Sequence, residues 1–427
     1  MAVVEPLHAM HYVPAVTGGL QPVIAPPYDV IGAEERARLA ARSPYNVVAI
    51  DLPAQPPEGG DRYTHAAELI ERWLDDGALA VDSEESIWPL EQDYTGPDGR
   101  ARTRRGFLAR VRVQDYGAGR IRPHERTHPG PLQDRLRLTR ATQANLSPIF
   151  ALFSDPTGEA SSWLAQATHG TPWGEAADDD GTVNRVWKVA DPEAIANVLR
   201  VLGDAELLIA DGHHRYETAR SYAGEVGGEG PQRYVLMCLV SLQDPGLTVF
   251  PTHRLVRGLN TDQHEALAQA IRRDFEITGL QDASRLTPTP GAGIGDDGAI
   301  RIGYVDAHFK RPFMLTLKDP AIADAALSGH AAPYRRLDTA VLEALVLKGA
   351  LRMTDERIDH LDGLGYARSD RQALDSVMSG ESDAAFFMGP APIEQIQAVA
   401  AAGETMPPKS TYFYPKVPTG LVFNPLR

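Results

Sequence analysis

The sequence holds a single cysteine, Cys238, inside the run YVLMCLV. No intramolecular disulfide can form, and a lone thiol in an apolar run is expected to be a buried strand residue rather than a nucleophile. So little cysteine fits a reducing compartment, and a cytoplasmic protein is expected. No apolar run approaches the length that spans a bilayer. The start, MAVVEPLHAMHYVPAV, has neither the cationic region nor the long apolar stretch of a secretion signal. Positive charge is in deficit: 42 Lys and Arg stand against 57 Asp and Glu, a net charge of -15. That balance argues against broad binding to nucleic acid or to anionic membrane, yet leaves room for a local basic pocket. Several catalytic signatures are missing too. There is no G-x-x-x-x-G-K-[ST], no D-F-G or H-R-D, and no G-x-S-x-G. These absences exclude a P-loop, a protein-kinase core and a hydrolase nucleophile elbow. Any phosphoryl transfer must therefore use a different nucleotide cradle.

What is present is enough chain for two domains, 427 residues, with an ordinary soluble balance of 43% apolar and 23% charged residues. Helix-like and strand-like runs mix along the whole length, with hairpins and crossovers, so the expected fold class is α/β (mixed α+β). VIAPPYDVI (23–31) reads as a strand edge entering a rigid turn, and NVVAIDLP (46–53) reads as a strand. RYTHAAELIERWLDDGALA is an amphipathic helix. SIWPLEQDYTGPDGRARTRRGFLARVRV reads as a hairpin about a Gly-Pro-Asp-Gly turn, with the arginines between Arg100 and Arg112 on a solvated face. A helix is expected from about Leu132 to Asn145. AELLIA reads as a buried strand followed by a helix at HHRYETARSYAGEV. IRIGYVDAHFKRPFMLTL reads as a second hairpin, and LDTAVLEALVLKG and APIEQIQAVAAAG as helices. GAGIGDDG superficially matches a dinucleotide loop, but no strand precedes it, so it is expected to be a surface connection. Three regions follow: 1–165, 166–255 and 256–427.

The stretch ADGHHRYETA (210–219) carries the strongest chemical signal. It puts Asp-Gly after a buried strand, and His-His-Arg at the opening of a helix. The first turn of a helix has unpaired N–H groups and a positive dipole end, which suits an anion. Gly212 allows a ligand to approach the backbone, His213 and His214 add imidazoles, and Arg215 can grip phosphate oxygens with two parallel hydrogen bonds. Asp211 is the candidate ligand for Mg²⁺, or else orients a histidine. Adjacent histidines on a helix diverge, which argues against a zinc site.

Three further clusters stand out. His124 and Glu125 pair an imidazole with a carboxylate in a loop, a natural general base for a hydroxyl proton. They join His213 and His214 as catalytic candidates. Asp134 and Arg135 follow on the next helix, as a substrate contact or an ion pair. In PPKSTYFYPK, two prolines stiffen the backbone before Lys409 and Ser410, which would offer a charge and a hydroxyl to phosphate. Asp29, in APPYDV, is a substrate contact or a turn cap.

ADGHHRYETA resembles the DGHHRYEA-type motif of ParB-like free serine kinases, and more distantly the GERR-type box of ParB nucleotidases. APPYDVI (25–31), PHERTHPGPLQDRLRLTRATQANLSPIF (123–150) and MPPKSTYFYPKVPTGL (406–421) resemble the DUF1015 family. The resemblance implies a ParB/serine-kinase-like nucleotide-binding core near residues 180–250. It implies ATP or ADP and Mg²⁺ as cofactors, and phosphoryl transfer to a small hydroxy amino acid, with free serine giving O-phosphoserine. Two rivals are a phosphoserine phosphatase at the same site and a non-enzymatic ParB-like nucleotide-binding regulator. The acidic balance counts against DNA.

Overall fold

Two runs of alternating residues flank the Gly96–Gly99 turn, and in the computed structural model they pair as a long antiparallel hairpin, from Trp88↔Leu108 at the base to Thr95↔Ala101 at the tip. Gly99 takes the left-handed conformation that the turn needs (φ 75°). The structure describes residues 2–57, 59–125, 129–203, 205–289 and 299–427. GAGIGDDG (291–298) lies outside the described residues. The expected mixture of helices and sheets is what forms: the protein is a mixed α/β fold.

The chain divides into two compact units. The first comprises Met1–Pro123, Thr127–Thr248 and Pro415–Arg427. Among the described residues its centre is a nine-stranded mixed sheet. The strands are β1 (Val4–Glu5), β2 (Trp88–Thr95), β3 (Ala101–Arg112), β4 (Ile121–Pro123), β5 (Ile149–Phe153), β6 (Gly174–Ala177), β7 (Val183–Val186), β8 (Leu207–Asp211) and β9 (Tyr234–Ser241). They lie in the order β4-β8-β5-β9-β3-β2-β7-β6, with β1 beside β3. Strand β8 runs parallel to β4 and antiparallel to β5. Phe107, Val111, Ile149, Phe153, Ile209 and Leu239 are buried in one apolar cluster, the main driving force for folding this unit. Cys238 sits fully buried in β9, and burial pushes its thiol up to about 12.

The second unit comprises His124–Arg126 and Val249–Tyr414. Its sheet is antiparallel throughout, with six strands among the described residues. IRIGYVDAHFKRPFMLTL supplies the expected hairpin, pairing Arg301–Asp306 with Phe313–Leu317. The three expected regions are contiguous in sequence, whereas these units interleave. Residues 166–255 do not stand alone, because β7, β8 and β9 pair with β2, β3, β4 and β5.

Local readings change at four places. Residues 46–53, expected as a strand, contain the helical turn Val48–Asp51. Asn46 explains it: its side chain accepts from Val48 N at 3.0 Å and donates to Pro22 O at 2.8 Å, which fixes a turn in place of a ladder. The helix expected at Leu132–Asn145 runs as α1 (Pro129–Thr142), since a proline suits the first helical position and Gln143 turns the chain at φ 47°. Arg104, expected on a solvated face, is 1% exposed and lies over the Phe150 ring at 4.4 Å. The run LDTAVLEALVLKG starts as an α-helix, Asp338–Leu342, and continues as a π-helix, Glu343–Ala350, spanned by a Glu343–Lys348 ion pair of 2.7 Å. Among the described residues no helix is long and apolar enough to cross a membrane.

Candidate functional site

The site in the first unit is built on a defect in the sheet. Strands β8 and β5 stay in register at Leu208↔Leu152 and Ile209↔Ala151, then shift so that Asp211 faces Phe150. A bulge of this kind re-aims the side chain at the strand end. Gly212 follows in the left-handed region (φ 92°, ψ 30°), and the helix α2 (His213–Val226) begins at once. The turn thus delivers Asp211 and the opening of a 14-residue helix to one place. Tyr216, fully buried in α2, locks the helix: its hydroxyl donates to Gln114 O at 2.8 Å and accepts from Gln114 N at 3.0 Å.

Two cations converge on Asp211. Arg215 Nη2 donates to Oδ2 at 2.7 Å, and Lys416 Nζ donates to Oδ1. Burial pushes the Asp211 carboxyl up, but the charges of Lys416 and Arg215, the Lys416 hydrogen bond and the charge of His213 together hold it well below the usual carboxylate range. Arg215 Nη1 donates to Ser147 Oγ at 3.1 Å and to the Pro148 carbonyl. These contacts follow from the antiparallel β5–β8 pairing, which brings the end of one strand to the start of the other. The guanidinium expected to grip phosphate is therefore already engaged within the fold. His213 is buried at 9% exposure, and His214 is half-buried.

Asp134, half-buried, and Arg135, buried, lie on α1 in the same unit. Arg135 is 5% exposed; its Nη2 and Nε bond Asp134 Oδ2 at 2.6 and 2.9 Å. Its Nη1 bonds Asp51 O at 2.6 Å, and its Cζ lies 4.2 Å from the centre of the Tyr28 ring. Asp134 also accepts from Tyr63 OH at 2.7 Å and from Arg62 Nη2 at 2.5 Å. Asp29 is exposed on the turn next to Tyr28, with its charge felt at Arg215. Burial pushes the Tyr28 phenol up to about 12, with Arg215 and Arg135 opposing.

His124, Glu125, Lys409 and Ser410 belong to the second unit and gather there. His124 is 1% exposed; its Nε2 lies 2.7 Å from Thr411 Oγ1 and 4.0 Å from Glu125 Oε2. Met406 N donates to His124 O at 2.7 Å, pinning this segment to the proline turn. Arg254 pins the other side, donating to Lys409 O at 3.0 Å and to Pro408 O at 3.1 Å. The turn holds Lys409 at φ 59°, a strained angle for a residue with a side chain, and leaves that side chain exposed. Ser410 is buried and donates to Pro407 O at 2.6 Å. Of the neighbouring aromatics, Phe413 and Tyr414 are core.

Both oxygens of Asp211 face cations, so this carboxylate, as it stands, does not fit a divalent metal. Among the described residues no group of three His, Cys, Asp or Glu side chains is placed to hold one. Sequence reasoning missed Lys416, Asp51 and Arg254. A signal existed for the first: Lys416 sits between prolines in YPKVP.

Three solved structures resemble this fold weakly. A free serine kinase variant in complex with AMP is 13% identical over 70% of this chain and 89% of that chain, with a TM-score of 0.37. C-terminally truncated SbnI from Staphylococcus aureus is 13% identical over 73% and 85%, with a TM-score of 0.37. A conserved hypothetical protein from Pyrococcus furiosus is 14% identical over 70% and 92%, with a TM-score of 0.34. No curated protein matches the chain. One family, described as a protein of unknown function (DUF1015), matches residues 4–340. With most of its length so matched, the chain belongs to the DUF1015 family.

Proposed function

We propose that this protein is a nucleotide-dependent phosphotransferase acting on a small hydroxy amino acid, with free serine as the leading substrate. The observation that carries the reading is the bulge–Gly212–helix turn, where Asp211 is clamped between Arg215 and Lys416 at the start of α2. In this reading the clamp fixes the turn, and the helix start with Gly212, His213 and His214 receives the phosphates. Arg215 acts through Asp211, Ser147 and Pro148 as the strut of that cradle. The bound nucleotide would supply the phosphoryl group, and Mg²⁺ carried in with it would neutralise phosphate charge. Glu125, beside His124, takes the proton of the substrate hydroxyl. The hydroxyl oxygen then forms the new P–O bond as the bond to the nucleotide's leaving phosphate breaks. Lys409 and Ser410 offer a second positive charge and a hydroxyl, and Asp29, Asp134 and Arg135 serve the amino-acid side. Localisation in the cytoplasm accords with this chemistry.

The test is incubation with L-serine plus ATP, with L-serine plus ADP, and with O-phosphoserine alone, followed by ³¹P NMR. Phosphoserine should form only when serine and a nucleotide are both present. Release of inorganic phosphate from phosphoserine alone would instead favour a phosphatase, and no turnover in any arm would leave a binding protein.

A further inference from the structure

The first unit contains a small half-open cavity, about 40 Å³, between Tyr28, Asp51, Arg135, Asn145, Ser147 and Arg215. A water needs about 10–15 Å³ of such space, so the cavity takes a head group of about three heavy atoms. A nucleoside is far too large for it.

Asp51 is the one carboxylate among the residues that line it. Its side chain is 7% exposed, yet its carboxylate has one contact only among the described residues, Arg135 Nη1 to Oδ1 at 3.4 Å. No donor among them reaches Oδ2. The two guanidiniums nearby make their shortest carboxylate contacts elsewhere. Arg135 is held by Asp134 at 2.6 Å, and Arg215 by Asp211 at 2.7 Å and by Pro148 O. A buried carboxylate with so little compensation calls for a cation or a proton. Burial does raise the Asp51 pKa, with Arg135 and Arg215 opposing. An anionic head would meet Asp51 directly and find both guanidiniums already paired. A cationic head would instead meet the Asp51 carboxylate, in a cavity that Tyr28 also lines.

We infer that this cavity is a primary-ammonium subsite, in which Asp51 receives the –NH₃⁺ group of a small amine or amino acid. The inference rests on the proposed amino-acid substrate for its biological ligand, but the subsite is defined by Asp51 alone. It assigns the ammonium end of the substrate to Asp51.

The experiment is an NMR titration of the full chain with methylammonium, ethanolamine, L-serine and glycerate, each with wild type and with Asp51→Asn. The three amines should bind wild type, and glycerate, which lacks the ammonium, should not. Asp51→Asn should weaken amine binding tenfold or more and leave ADP binding unchanged. Absence of binding by every amine, or equal binding by folded Asp51→Asn, overturns the subsite. If Asp51→Asn fails to fold, a size series on wild type decides. Methylammonium should bind and tert-butylammonium should not, and equal binding of both would overturn the assignment. The two readings fail separately. Asp51-dependent methylammonium binding without serine phosphorylation would keep the subsite and remove the serine kinase. Normal serine phosphorylation by Asp51→Asn at unchanged KM would do the reverse.

Discussion

The guanidinium of Arg215 folds back over Gly212, so closely that a Cβ at Gly212 would stand 3.0 Å from both Cζ and Nε. The glycine therefore serves two needs at once: its positive φ starts α2 abruptly, and its missing side chain leaves room for the Arg215 strut. Gly212→Ala meets both obstacles. The left-handed backbone costs a residue with a Cβ about 1–2 kcal/mol, and the strut must shift away from Asp211 as well. Chemical denaturation should show at least that loss, and nucleotide affinity by calorimetry should fall with it. A variant as stable as wild type with full affinity would mean that the turn tolerates a side chain.

Asp211 is half-buried and Asp51 buried in the same unit, and their pH responses have opposite signs. The Asp211 pKa is depressed once Lys416 and Arg215 outweigh burial. Its stabilising contribution is thus complete above the unfolded carboxylate value near 3.9 and is lost as pH falls below it. The Asp51 pKa is raised by burial. Its charge therefore costs stability as pH climbs through that same value. At pH 7, Asp211→Asn should lower the thermal midpoint, while Asp51→Asn should leave it at or above wild type. Midpoints that drop equally would show that Asp51 is a satisfied structural ion.

Lys416 should be nearly as costly to remove as Asp211, because it leaves a half-buried carboxylate with one cation fewer. Breaking one partner of a buried pair costs about 3–5 kcal/mol. Lys416→Met is expected near the lower end, since Arg215 still faces Asp211 and Lys416 is 19% exposed. Adding Asp211→Asn to Lys416→Met should recover part of that loss. Strict additivity in this double-mutant cycle would argue that the pair is not coupled.

Much of this arrangement was legible from local chemistry. The strand, the Asp-Gly break and the helix opening at His213 needed only an apolar run, a glycine and a polar helix start. Hairpins around Gly96–Gly99 and in residues 301–317 followed from alternation. What escaped was set by distance or by one side chain. Lys416 is 205 positions from Asp211, and no spacing rule joins them. Asp51 was hidden because VVAI reads as a strand until Asn46 is seen holding the turn. Arg104 looked like one of several surface arginines, yet its Nε bonds Gln92 Oε1 at 3.1 Å inside the sheet.

Lys409 combines backbone strain with an exposed charge, which sets stability against activity. Its φ of 59° is held by Arg254 through two carbonyls. Lys409→Gly relieves the strain, so the second unit should gain about 1 kcal/mol. If the ammonium serves the transferring phosphoryl group, the same change should lower turnover at least tenfold. A more stable and fully active variant would reduce Lys409 to a turn residue.

Glu125 offers the sharpest separation of chemistry from binding. Its side chain is 17% exposed and stands 4.0 Å from the buried His124 imidazole, which is itself anchored to Thr411. The backbone here is fixed independently, through the Met406 bond to His124 O. Glu125→Gln thus keeps the shape of the side chain and removes only its capacity to take a proton. Loss of a general base costs about 10²–10⁴-fold in rate. Serine phosphorylation should fall by that amount in kcat, with KM for serine and affinity for nucleotide close to wild type. A residue that only holds the loop would instead leave kcat in place and move the thermal midpoint.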